Sequence, residues 1–145
     1  MSVVVVGVDG SPGSIAALRF ALEEARLRQA TLRVVNAWSP PPFDLSAPGA
    51  LLPEILDAMQ AAGEQTVDDG LAEATGGAPV GVEIERVVQE GATAQTLVDN
   101  CGDATLLVVG SRGRGGFSGL LLGSVSQQAA QHAPCPVTIV HPPRD

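Results

Sequence analysis

The chain has no tyrosine, one tryptophan and three phenylalanines among 145 residues, so aromatic stacking cannot dominate its core or its surfaces. Lysine is absent too, and all eight basic residues are arginine. That removes the phosphate-loop signature G-x-x-x-x-G-K-S/T, whose lysine reaches the terminal phosphates. Against 16 acidic residues the arginines leave a formal net charge of −8. So acidic a chain opposes general nucleic-acid binding, which needs cations to displace counterions from the phosphate backbone. No apolar run exceeds about eight residues, well short of the roughly 20 a membrane helix needs, so no membrane partner is expected. The opening MSVVVVGVDG has neither a basic segment nor a cleavage site. It reads as a strand rather than a signal peptide, and the expected compartment is the cytoplasm. The two cysteines, Cys101 and Cys135, lack C-x-x-C spacing and a histidine cluster. Buried free thiols are expected rather than a disulfide or a metal site.

What is present is aliphatic. Hydrophobic residues make up 45% of the chain and mean hydropathy is +0.23, which predicts one folded domain over 1–145 with a core of Val, Leu, Ile and Ala. SVVVVGVD (2–9) and ATLLVVG (104–110) are apolar without alternation, as strands covered on both faces are. TLRVVNAW (31–38) is a strand, followed by a proline-rich loop, SPPPFDLSAPGA, that cannot continue it. VGVEIERVV (80–88) alternates at Val80, Val82 and Ile84, predicting a half-exposed strand, and CPVTIVH (135–141) is a last one. Helical spacing predicts helices over 12–29, capped by Ser11 ahead of Pro12, and from Leu51 to Ala74. Gly63 and Gly70 weaken the second, at roughly 1 kcal/mol each against alanine. TAQTLVDNC and SVSQQAAQHA supply two shorter helices. Strands alternating with helices over short connections predict an α/β fold with a parallel, doubly wound sheet. Ligands in such sheets sit beyond the carboxyl ends of the strands, where the strand order reverses.

Two loops leave central strands. One is VDGS; the other is GSRGRGGFSGLLLGS (110–124), which holds six of the 17 glycines. Gly110 ends a strand, Gly113 follows, and Gly123-Ser124 opens a helix. Glycine permits positive φ and close approach of a ligand, and a helix N-terminus offers unpaired N–H groups to an anion. Ser124 adds a hydroxyl. These features fit a phosphate cradle built without lysine. The competing reading is a surface loop whose glycines serve turns, with Ser124 a plain cap.

The spacing G-x2-G-x9-G-S, with VVVGVDGSPGS at the start and QEGATAQTLVDNC in the middle, resembles the universal stress proteins, in their ATP-binding, UspA-like branch. The resemblance covers the whole chain. It implies a single Rossmann-like, adenine nucleotide alpha hydrolase-like domain with five parallel strands in the order 3-2-1-4-5. It implies ATP with Mg²⁺ or Mn²⁺ as cofactor. Gly110, Gly113, Gly123 and Ser124 would meet phosphates and ribose, with Val125 and Ser126 beside them. Asp9 would lie near adenine and the metal, and the backbones of Val8 and Ala37 at the adenine edge. Arg112 and Arg114 inherit no role. The resemblance also implies a homodimer joined through PVTIV (136–140), an uncharged segment at the sheet edge that a proline at Thr138 should weaken.

Other readings stay open from the residues themselves. Asp9 is also a turn former in Asp-Gly-Ser-Pro. His132 and His141 lie far from the loop in sequence and read as solvated or packed side chains. No nucleophile–base pair and no second carboxylate beside Asp9 is evident, so little or no turnover is expected. The alternatives are a nucleotide-independent dimeric interaction protein, a slow ATPase, and a protein that binds AMP or cAMP.

Overall fold

The computed structural model describes residues 2–40, 53–112 and 122–143. Five strands, β1 (Val3–Gly7), β2 (Thr31–Trp38), β3 (Ile84–Glu90), β4 (Leu106–Gly110) and β5 (Val137–Val140), form one sheet in the order β3-β2-β1-β4-β5. All four pairings are parallel. The order reverses between β1 and β4, as the resemblance implied. Helices α1 (Pro12–Arg28) and α2 (Pro53–Thr75) cover one face, and α3 (Thr93–Asp99) and α4 (Ser124–His132) the other.

The pleat assigns alternate residues to alternate faces. Val4, Val6, Leu32, Val34 and Val108 pack toward α1 and α2, while Val3, Val5, Val35, Leu107 and Val109 pack toward α3 and α4. Because β1 is closed on both sides, Val4, Val5 and Val6 are fully buried. The Ser11 cap is as expected: its side chain accepts from Ser14 N–H at 3.2 Å, with Pro12 opening α1. Helix α2 runs unbroken through both glycines. At Gly63 a Cβ would lie 2.7 Å from Asn36 Oδ1 and from Val88 Cγ1, and at Gly70 it would lie 3.2 Å from Val8 Cγ1. These glycines let the helix approach the sheet closely; they do not interrupt it.

One boundary differs materially. The third strand begins at Ile84, not at Val80, and runs to Glu90. Gly81 has φ +82°, a left-handed turn that a strand cannot contain. Arg26 holds the residues before it, donating from Nε to the Val80 carbonyl at 2.9 Å. Val80 and Val82 still pack on the core, so their alternation reports burial in a connection rather than a ladder. β2 matches its predicted bounds, and the other strands with α1, α3 and α4 are each shorter than predicted by one to three residues.

Both cysteines are free thiols; Cys101 is buried and Cys135 half-buried, side by side in the core layer on the α3 and α4 face. Burial, with the neighbouring thiol, pushes Cys101 up to about 12. At the amino end of the sheet, Arg33 makes paired contacts of 2.7 and 3.1 Å with Asp103 and holds that carboxyl below its usual range. In β5, the Pro136 and Val140 carbonyls accept from Leu107 and Ser111 N–H at 2.9 Å. Residues 136, 138 and 140 therefore point their backbone groups at β4, and Val137 and Ile139 point theirs at the open edge.

Candidate functional site

At the carboxyl ends of β1 and β4 a crevice opens between the sheet and the helices α3 and α4. Val8, Asp9, Ala37, Gly110, Arg112 and Val125 line it, so both loops singled out in the sequence meet there. Gly113 and Arg114 lie outside the described residues.

Asp9 is both turn former and crevice residue. Its Oδ1 accepts from Ser11 N–H at 2.8 Å, while Gly10 takes φ +84° to complete the turn. The Asp9 N–H donates to Ser14 Oγ at 3.3 Å, and that hydroxyl donates to the Ser11 carbonyl at 3.0 Å. The two readings of Asp9 are thus compatible, because the turn fixes where its backbone leaves the strand.

The glycines act differently from expectation. Neither Gly110 nor Gly123 has positive φ; Gly123 sits at φ −79°, ψ 172°, an extended conformation open to any residue. Gly110 is required by packing: a Cβ there would lie 2.8 Å from the Gly13 carbonyl oxygen, and a Cβ on Gly13 would lie 2.5 Å from the Arg112 carbonyl oxygen. Gly123 caps α4, not Ser124, and its N–H donates to the Ser111 carbonyl at 2.6 Å. Ser124 opens the helix and is exposed. Buried Ser126 aims its hydroxyl at the Ser111 and Gly123 carbonyls, 3.1 and 2.9 Å away, tying the loop to the helix start.

Neither α3 nor α4 has a side-chain cap: Ala92 and Gly123 hold the capping positions without one. Among the described residues no side chain caps the first-turn N–H groups of either helix, and the positive end of each helix dipole lies near the crevice, where Thr93 and Val125 line it. At the opposite corner the backbone of β2 faces inward. Thr31 N–H bonds Ser2 and the Val35 carbonyl accepts from Val8, so odd-numbered residues of β2 address β1. Beyond the last pair, Gly7↔Val35, the N–H and C=O of Ala37 turn to the crevice. A donor beside an acceptor matches the N1 acceptor and N6 donor of adenine. Ser14, Thr93 and Leu97 also line the crevice and were not singled out from the sequence. Ser14 carried a signal as part of the cap; Thr93 and Leu97 stand inside QEGATAQTLVDNC, where the resemblance gave them no role.

A model described as the universal stress protein family matches residues 1–141. The chain is 39% identical over 144 residues to universal stress protein Rv2623 of Mycobacterium tuberculosis, covering 95% of this chain. It spans about half the length of such curated relatives, 47% in that case. Among solved structures it resembles a universal stress protein in complex with cAMP, with a TM-score of 0.72, 28% identity and 98% of each chain covered. It also resembles the universal stress protein from Archaeoglobus fulgidus in complex with dAMP, with a TM-score of 0.66 and 26% identity, covering 96% of this chain and 97% of the other. Sheet order, switch-point crevice and sequence agree, and the chain belongs to the universal stress protein family.

Proposed function

We propose that this chain is a cytoplasmic, homodimeric nucleotide-binding regulator that takes ATP with Mg²⁺ or Mn²⁺ and turns it over little or not at all. The observation that carries the reading is the pairing of Ala37's inward-facing N–H and C=O with the uncapped N-terminus of α4 across one crevice. The first suits an adenine edge and the second suits phosphate. The related structures with cAMP and dAMP support an adenine ligand in this family.

The donor set fits a hard divalent cation held mainly by the nucleotide. Among the described residues no group of three or more His, Cys, Asp or Glu side chains comes together. Asp9 would contribute one carboxylate and the phosphates the rest, which is how Mg²⁺ is usually held. When bound, the metal would neutralise phosphate charge. Gly110, Gly113, Gly123 and Ser124 would hold the phosphates and ribose, with Val125 and Ser126 beside them, and Val8 and Ala37 would border the base. Among the described residues Asp9 is the one carboxylate lining the crevice; assigned to the metal, it would not also serve as base for an attacking water, which is the basis for proposing little turnover.

Calorimetric titration with ATP, AMP and cAMP, with and without Mg²⁺, tests this. Saturable binding of ATP that tightens with the metal, with turnover below about one per second, is the expected result. Absence of binding by all three overturns the reading in favour of a nucleotide-independent interaction protein. Tighter binding of AMP or cAMP than of ATP moves the ligand and not the site.

A further inference from the structure

Parallel pairing of β1 and β2 stops one rung early, and a side chain stands where the rung should be. Thr31 N–H bonds the Ser2 carbonyl and Val8 N–H bonds the Val35 carbonyl. Continuing that register, the next rung would run from Ala37 N–H to the Val8 carbonyl. Instead the pairing ends at Gly7↔Val35, and the Val8 carbonyl accepts from Asn36 Nδ2 at 2.8 Å. Asn36 is the one buried polar residue in the second half of β2, VVNAW, and is 7% exposed. Its other amide atom, Oδ1, has no hydrogen-bond partner and faces Gly63 of α2, where a Cβ would lie only 2.7 Å away. A carboxamide buried this way leaves one acceptor unsatisfied, a cost folding does not favour without a return. The peptide between Val8 and Asp9 is held from both ends, its carbonyl by Asn36 and its N–H by Ser14 Oγ.

The geometry points to Asn36 as a positioning residue that decides which purine edge the crevice reads, by occupying the Val8 carbonyl so that the Ala37 N–H stays directed at the ligand. The inference rests on the adenine reading above. With Asn36 present, Ala37 offers a donor beside an acceptor, complementary to the N1 acceptor and N6 donor of adenine. Hypoxanthine presents the reverse, an N1–H donor and an O6 acceptor. Removing the carboxamide frees the Val8 carbonyl to close the rung with Ala37 N–H. The donor that selects adenine is then consumed inside the sheet.

The experiment compares AMP with IMP, which differ in that base edge and share sugar and phosphate. Affinities are measured by calorimetry for the wild type, for Asn36→Leu, which keeps the bulk, and for Asn36→Ser, which is one atom too short to reach Val8. Exchange of the Ala37 amide is followed by NMR in nucleotide-free protein. Wild type preferring AMP, a preference that falls about tenfold in either variant, the effect of one hydrogen bond, and a slower Ala37 amide in the variant support the inference. Affinities that fall in parallel, with the AMP:IMP ratio and Ala37 exchange unchanged, overturn it and leave Asn36 a packing residue. Wild type that binds neither nucleotide overturns the adenine reading itself. The two failures are therefore distinguishable. Should Asn36→Leu not fold, Asn36→Ser carries the test by the same ratio.

Discussion

The two faces of the sheet are covered unequally. One carries helices of 17 and 23 residues, α1 and α2, and the other carries helices of 7 and 9, α3 and α4. Behind the long helices lies a wide aliphatic layer in which Ala17, Leu18, Ala21 and Val67 are fully buried. Behind the short ones the layer is thinner, and the crevice opens there. Helices this short are marginal in isolation, so α3 and α4 depend on packing for their existence. At their N-termini, Ala92 and Gly123 provide no side-chain cap, which forgoes local stability. The difference is a division of labour: the thick face carries most of the core and the thin face opens the crevice.

Leu18→Ala is the strongest attempt to break that comparison. Leu18 is wholly buried against the sheet, and truncation should cost about 3–4 kcal/mol in urea unfolding while leaving nucleotide affinity of the folded protein within about twofold. Affinity falling in step with stability would show that the faces are not separable. Gly123→Val is the converse. Because its backbone is extended, valine there imposes no φ strain, and the added side chain fills space at the start of α4. ATP affinity should fall by about a hundredfold, equivalent to roughly 2.7 kcal/mol, with the urea midpoint little changed; unaltered affinity in a folded variant would remove Gly123 from the site.

A smaller effect sharpens the comparison at the sheet's margins. The β3 edge carries Glu85, Arg86 and Glu90, whereas β5 carries no charge, which is the difference expected between a guarded edge and one that pairs. The Thr138 N–H faces β4, so a proline there would damage the monomer's own ladder rather than the edge. Ile139 faces outward. Ile139→Pro should weaken dimerisation by roughly thirtyfold, one bond of about 1 kcal/mol in each copy, read by sedimentation over a concentration series. Wild type that sediments as a monomer at micromolar concentration would refute the dimer. Smallest of all, Ala92→Ser should supply the missing cap of α3 and raise stability by about 0.5–1 kcal/mol. A thermal melt with no rise would mean that the α3 N–H groups are already satisfied.

Much of this organisation is written in residue order. The unalternating valines of β1 and the leucines and valines of β4 announced strands buried on both faces, and the two loops leaving them are the loops that line the crevice. Less legible was anything set by contact between distant segments. Gly63 and Gly70 read as helix weaknesses because their partners, Asn36, Val88 and Val8, come from strands far away in sequence. The start of β3 was misplaced because alternation records burial and cannot tell a ladder from a packed connection; only the backbone of Gly81 separates them. At the site, Asn36 did leave a trace, a single polar residue inside VVNAW. Its importance shows only when the missing rung to Val8 is seen.

The contact between Gly13 and the end of β4 constrains how sequences of this kind can vary. Each glycine excludes a side chain because main-chain oxygen stands in its way: that of Arg112 over Gly13, and that of Gly13 over Gly110. A clash between two side chains can be relieved by shrinking either one. Here the obstacle is peptide, common to all twenty residues, so no substitution at the partner position compensates. A random library covering positions 13 and 110 should therefore return glycine at both among folded members, each chosen independently of its partner's identity. Covariation, which reveals most packed pairs, would be silent at this one.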